Sequence, residues 1–188
     1  MNPIGDTPDP LASVELLRVS VPLRSTHRSA NTVSTTRESI IVRVVDTSGS
    51  TGISECPTLS TSGYVTETTD EAWRALGTHL APTWLAGNRV PAPGLPAASA
   101  AMADATLDAR LRCRGVSLAE HLVGSTAVGA SPGTLSSAVQ WCAVIADVSV
   151  TPAAAARAAR DAVDAGASML KYKFADPSHL REVIAAVR

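Results

Sequence analysis

Residues 139–175 read VQWCAVIADVSVTPAAAARAARDAVDAGASMLKYKFA, and the order of patterns in this stretch decides the fold class. The nearly unbroken apolar run VQWCAVIAD (139–147) is of the kind buried on both faces of a parallel sheet. A helix follows, with Thr151 placed to cap it, Pro152 at its first position and Gly166 as its stop. SMLKYKFA (168–175) predicts a second strand, and DPSHLREVIAAVR (176–188) a second helix with Asp176 or Ser178 as its cap. Strand, helix, strand, helix is a βαβ arrangement, expected with a right-handed connection. In the second strand Lys171 and Lys173 sit one residue apart, so both ammonium groups share a face. Two cations side by side repel each other. Either the pair is solvated on the surface, or the fold holds it there for chemistry.

Upstream the character differs. ASVELLRVSVPL (12–23) predicts a strand ending at Pro22, and RSTHRSANTVSTT (24–36) a polar loop. RESIIVRVVDTSGSTGISE (37–55) reads as a β-hairpin turning in DTSGSTG. A second polar loop, CPTLSTSGYVTE (56–67), leads to a helix capped by Thr69 or Asp70, with Trp73, Leu76 and Leu80 on one face. NRVPAPGLPAASA (88–100) carries three prolines and reads as a loop or linker. AMADATLDARLRCRG (101–115) is helical, with Met102, Leu107 and Leu111 as core contacts, and SLAEHLVG (117–124) adds a short helix ending at Gly124. Strands followed by helices make an α+β domain. The boundary is expected near residue 130, giving one domain over 1–130 and the start of another over 131–188. An isolated βαβ unit leaves its strand flanks unpaired, so 131–188 is expected to be poorly stable alone or to need a partner.

Composition narrows the function classes. Of 188 residues, 45% are hydrophobic but only 3% aromatic, so the core is built from Ala, Val and Leu. A formal net charge of −1, spread along the chain, offers neither a nucleic-acid footprint nor a polybasic membrane patch. The three cysteines, Cys56, Cys113 and Cys142, form no CxxC pair and read as reduced, mostly buried thiols. MNPIGDTPDP lacks the pattern of a signal peptide, and no apolar run is long enough to span a bilayer. A soluble, cytoplasmic protein is expected. His27, His79, His121 and His179 are scattered, and no residue is nominated as a metal ligand. Asp104 and Asp108, four apart on a helix, read as a solvated face. Trp73, Trp84 and Trp141 read as core or domain-contact residues.

Four pieces, in this order, carry a resemblance. They are VELLRVSVPL (14–23), RESIIVRVVDTSGSTGISECPTLSTSGYVTET (37–68), LDARLRCRGVSLAEHLVG (107–124) and AGASMLKYKF (165–174). The second contains Gly52, Glu55, Cys56, Tyr64, Thr66 and Glu67, and the last a K-x-K strand. Together they resemble the enolase superfamily, in its muconate cycloisomerase-like branch, and there the o-succinylbenzoate synthase and N-acylamino acid racemase group.

The resemblance implies an α+β capping domain, a three-stranded antiparallel sheet plus helices, followed by the first two βα units of a TIM-type (β/α) barrel. Such a barrel takes roughly 250 residues for eight units, so a truncated barrel is expected here. The implied chemistry begins with proton removal next to a carboxylate, with a lysine base and Mg²⁺ stabilising the ene-diolate. Lys173 takes the place of the acid/base lysine and Lys171 of the neighbouring cation that eases loss of its proton. Arg28 and Tyr64, in the two polar loops, would contact a small-molecule carboxylate substrate. The resemblance puts the Mg²⁺ ligands on later barrel strands, past Arg188, so no metal is expected for this chain alone. The implied activities are dehydration to o-succinylbenzoate, a lyase step toward menaquinone, or N-acylamino acid racemisation. A catalytically dead fragment or interaction module is the alternative of another class. Family members are often homo-oligomeric; neither nucleic acid nor membrane is an expected partner.

Overall fold

The computed structural model describes residues 10–28, 33–63, 65–124, 140–145, 151–173 and 180–187. The chain forms two compact units, one of Met1–Leu23 with Thr36–Leu135, the other of Arg24–Thr35 with Ser136–Arg188. The boundary expected near residue 130 falls outside the described residues.

The first unit is built on a three-stranded antiparallel sheet in the order β1 (Leu11–Arg28), β2 (Val33–Asp46), β3 (Thr51–Cys56). β2 and β3 form the expected hairpin, with Ile40 opposite Cys56 and Val44 opposite Gly52. Its turn is held by the Asp46 carboxylate, which accepts the Ser48 and Ser50 N–H groups and the Ser48 hydroxyl. Gly49 takes the positive φ that the turn requires, +89°. The loop predicted over 24–36 is a correction. β1 continues to Arg28 and β2 begins at Val33, so most of that segment is strand. Ser20 to His27 are all exposed, so no apolar alternation marks the strand there. The β-branched Thr26, Val33, Thr35 and Thr36 fit an extended backbone all the same.

One face of the sheet, with Ile40, Val42 and Val44 fully buried, packs in the core with the helices. α1 (Thr69–Ala75) starts one residue earlier than expected, because Thr68 and not Thr69 is the cap. The Thr68 hydroxyl accepts the Glu71 N–H, and the Glu71 carboxylate accepts the Thr68 N–H and hydroxyl. A π-helical turn (Leu76–Leu80) and α2 (Ala81–Leu85) continue the same rod. The buried stripe runs Thr69, Ala72, Leu76, Leu80, Trp84. Trp73 lies beside that stripe rather than on it and is 37% exposed, against the expectation of a core residue. The Arg89 guanidinium lies 4.8 Å from the centre of the Trp84 ring.

α3 (Pro96–Arg114) begins inside the segment predicted to be loop, because proline is at home in a first helical turn. It ends at Gly115, φ +62°. Its packed side carries Ala98, Ala101, Met102, Ala105 and Ala109, all essentially buried, and Leu111 joins them while Leu107 is half-buried. Small residues let α3 lie very close to β3 at Gly52. α4 (Leu118–Gly124) follows, capped by Ser117 paired reciprocally with Glu120.

The second unit contains β4 (Cys142–Ile145), α5 (Pro152–Asp164), β5 (Met169–Tyr172) and α6 (Leu180–Val187), with β4 and β5 parallel. The start and stop of α5 are as read: the Thr151 hydroxyl accepts the Ala154 N–H, Pro152 opens the helix, and Gly166 leaves it at φ +97°. Asp176 and Ser178 lie outside the described residues. Burial of β4 on both faces is corrected: Ile145 is buried, but Cys142 and Val144 are exposed. α5 packs against β4 through buried Ala155, Ala156 and Ala159, which accounts for one face only. The thiols are corrected too: Cys56 is buried, while Cys113, near the end of α3, and Cys142 are exposed. Trp141 is likewise exposed. Among the described residues no helix is long and apolar enough to cross a membrane.

Candidate functional site

Parallel pairing sets Val144 beside Lys171 and Cys142 beside Met169, and residues opposed in this way project to the same side of the sheet. Cys142, Val144, Met169 and Lys171 therefore form one exposed face, while Ala143, Ile145, Leu170 and Tyr172 form the other, buried or half-buried. The Lys173 N–H donates to the Ile145 carbonyl at 2.9 Å, extending the ladder one residue past the end of β5. Its place in the alternation puts Lys173 on the side of Lys171, at the carboxyl end of the strand. Both lysines are exposed, and among the described residues neither makes an ion pair. A paired set of amines at a strand end can hold, release or accept a proton and attract an anion.

Arg28 is the last residue of β1, in the hairpin segment that groups with the unit carrying the lysines. It is thus a strand residue, not the loop residue expected, for the reason given above. Tyr64 lies outside the described residues. The ends of the loop around it are tied: Thr69 N–H donates to the Leu59 carbonyl (2.9 Å), and the Thr58 hydroxyl to that of Thr69 (3.1 Å).

The sequence reading gave Glu67 no role of its own. It is 3% exposed, and its two carboxylate oxygens accept the Ala97 and Ala98 N–H groups, at 2.7 and 2.9 Å, in the first turn of α3. Burial pushes the nearby Cys56 thiol up to about 12, helped by the negative charges of Glu67 and Glu55 and opposed by a hydrogen bond with Thr58. Asp108 is more than a solvated carboxylate: it accepts the Ile53 N–H and pairs with Arg112.

Among the described residues no group of three or more His, Cys, Asp or Glu could hold a metal ion. Mg²⁺ asks for several oxygen ligands in octahedral array, and these residues do not fit it.

The architecture is an α+β capping domain, a three-stranded antiparallel sheet plus helices, followed by the first two βα units of a (β/α) barrel. Its structural neighbours are mandelate racemase/muconate lactonizing enzyme-like members of the enolase superfamily. A probable mandelate racemase from Alicyclobacillus acidocaldarius is 26% identical at a TM-score of 0.70, over 95% of this chain and 48% of that one. The L-Ala-D/L-Glu epimerase of Bacillus subtilis, solved with a substrate, is 22% identical at 0.69, over 95% and 51%. A putative mandelate racemase/muconate lactonizing enzyme from Roseovarius nubinhibens, complexed with magnesium, is 21% identical at 0.75, over 95% and 49%. The chain thus spans about half the length of these structures. Neither a protein-family model nor a curated protein matches its sequence.

Proposed function

We propose that this chain contributes the first acid/base group of an enzyme that removes the proton next to a carboxylate, with Lys173 as base. The observation that carries the reading is the shared face of Lys171 and Lys173 at the carboxyl end of β5, the end of barrel strands where active sites sit. The neutral Lys173 amine takes the proton from the carbon beside the carboxylate. Lys171 adds a second positive charge on the same face, which draws the anionic substrate. Arg28 and the loop of residues 58–64, with Tyr64, select the substrate. The finer reading is an o-succinylbenzoate synthase-like lyase that dehydrates a cyclohexadiene carboxylate on the route to menaquinone. The epimerase among the neighbours favours the second reading, racemisation of an N-acylamino acid or related carboxylate. Magnesium is bound in one neighbour, while the described residues of this chain offer no set of ligands for it.

The test uses the native polypeptide from its source cells, its intact mass first established. With Mg²⁺ in D₂O, N-acylamino acids, dipeptides and the cyclohexadiene carboxylate are followed by NMR. Deuterium at the α-carbon, or o-succinylbenzoate as product, is expected, and Lys173→Ala should lower the rate by roughly 10²–10⁴. Activity that survives Lys173→Ala refutes the assignment. A wild-type protein inert toward every substrate points instead to an interaction module without catalysis.

A further inference from the structure

A buried carboxylate needs a reason, because removing its charge from water is costly unless hydrogen bonds replace the lost solvation. Glu67 is buried and spends both oxygens on backbone N–H groups of another element, at 2.7 and 2.9 Å. Ala97 and Ala98 are in the first turn of α3, whose free N–H groups and dipole favour an anion. Glu67 directly precedes Thr68, the cap of α1, and it ends the loop that starts at Pro57. That loop is closed at its base by the Thr69 N–H to Leu59 carbonyl bond and the Thr58–Thr69 hydroxyl contact. Between these ties Ser60 to Gly63, Val65 and Thr66 are exposed. A short exposed loop with clasped ends and one buried anionic anchor is held by that anchor more than by its own packing.

We infer that Glu67 is a positioning residue: its carboxylate, seated on the amino end of α3, latches the base of the loop that leads into α1, where Thr58, Leu59 and Thr69 meet. The functional consequence, and that alone, rests on the substrate-selecting role proposed above for this loop. The latch fixes the loop before substrate arrives, so its loss raises KM and leaves the proton transfer at Lys173 intact.

The experiment uses the native-length polypeptide with Glu67→Gln and Glu67→Ala. The Gln amide turns a donor toward a donor, so one N–H loses its partner. Amide exchange at Thr69, and chymotrypsin cleavage at Leu59, should speed up about tenfold, the factor one charge-assisted hydrogen bond supplies. In Glu67→Ala, formate or acetate should restore protection by refilling the vacated position at α3. Ile40→Val, which weakens the fully buried core, should leave the loop unchanged. Unchanged exchange in both Glu67 variants, or an equal rise in Ile40→Val, overturns the latch. With a turned-over carboxylate, KM should rise about tenfold with kcat held. KM unmoved while the loop is released overturns the positioning role. An inert wild-type protein overturns the reading of function, and the exchange arm then still decides the latch.

Discussion

Replacing Gly52 by alanine tests how closely α3 lies on the sheet. A Cβ built on Gly52 would stand 1.9 Å from the Ala105 carbonyl oxygen, 2.4 Å from the Ala109 nitrogen and 2.9 Å from the Ala109 Cβ. Two of those three atoms are backbone, so no side chain can swing away. Ordinary contact begins at 3.4 Å, so helix and strand must part by roughly 1.5 Å, the shortfall at the Ala105 oxygen, given ordinary packing. A gap of 0.5–1 Å already forfeits about a quarter to a half of a dispersion well, and here it would run along Ala101, Met102, Ala105 and Ala109. Overpacking costs about 1–3 kcal/mol and sometimes more; a backbone wall belongs at the upper end. The stiffer unfolded chain returns about 0.4–1 kcal/mol. The expected net loss is about 2–3 kcal/mol, or a fall in urea midpoint of about 1–2 M at an ordinary slope. The assay is urea unfolding followed by the fluorescence of buried Trp84, with Trp73 and Trp141 changed to Phe in every protein compared. Gly77→Ala is the control, since its nearest neighbour is the Leu16 Cδ1 at 3.9 Å; in a helical segment it should gain about 0.5–1 kcal/mol. A loss below about 1 kcal/mol for Gly52→Ala would refute the close approach.

The thiols should separate cleanly. In the native protein at about pH 8 a disulfide reagent should label the exposed Cys113 and Cys142 and spare Cys56, whose buried thiol is pushed up to about 12; urea should release the third. Labelling of Cys56 at the rate of the others would contradict its burial. Acid should loosen two helix starts. Glu71 is held below its ordinary value by bonds from the Thr68 hydroxyl and then its amide, and Glu120 by the Ser117 amide and then its hydroxyl. A depressed folded-state pKa gives stability that is full above the unfolded value, 4.5, and is lost as pH falls through the folded one. Unfolding midpoints from about pH 6 to about pH 3 should therefore drop below 4.5, and Glu71→Gln should remove part of that slope. A Glu71→Gln slope identical to wild type would count against the capping pair.

What could be read from the sequence was local. The Thr151–Pro152 start and Gly166 stop of α5, and the Ser- and Gly-rich turn between β2 and β3, depend on groups a few residues apart, and they fold as read. The features that escaped depend on distant atoms or on the lack of a buried face. Residues 24–36 carry no apolar alternation, the end of β1 being exposed from Ser20 to His27, so composition alone suggested a loop. Spacing set Trp73 on one helical face with Leu76 and Leu80, whereas the buried stripe passes through small Ala72. The role of Gly52 exists only where α3 crosses β3, and that of Glu67 depends on α3, thirty residues further on.

The lysine pair is the instructive middle case. Its shared face follows from the period of a strand and was legible; whether that face is merely solvated was not. A solvated face of a strand is ordinarily polar along its length. Here the neighbours of Lys171 are Val144 across the ladder and Met169 along the strand, with Cys142 beside Met169, and all three are exposed. A sheet of two parallel strands leaves such positions uncovered, as expected of a βαβ unit taken alone. The apolar run that predicted burial on both faces misjudged the exposure of these same residues, so the misread exposures of β4 fall on the side of the sheet that carries the lysines. Uncovered strand flanks account for the apolar neighbours and the strand period for the shared face, so the acid/base role proposed for the pair is decided by the rate of Lys173→Ala and not by exposure.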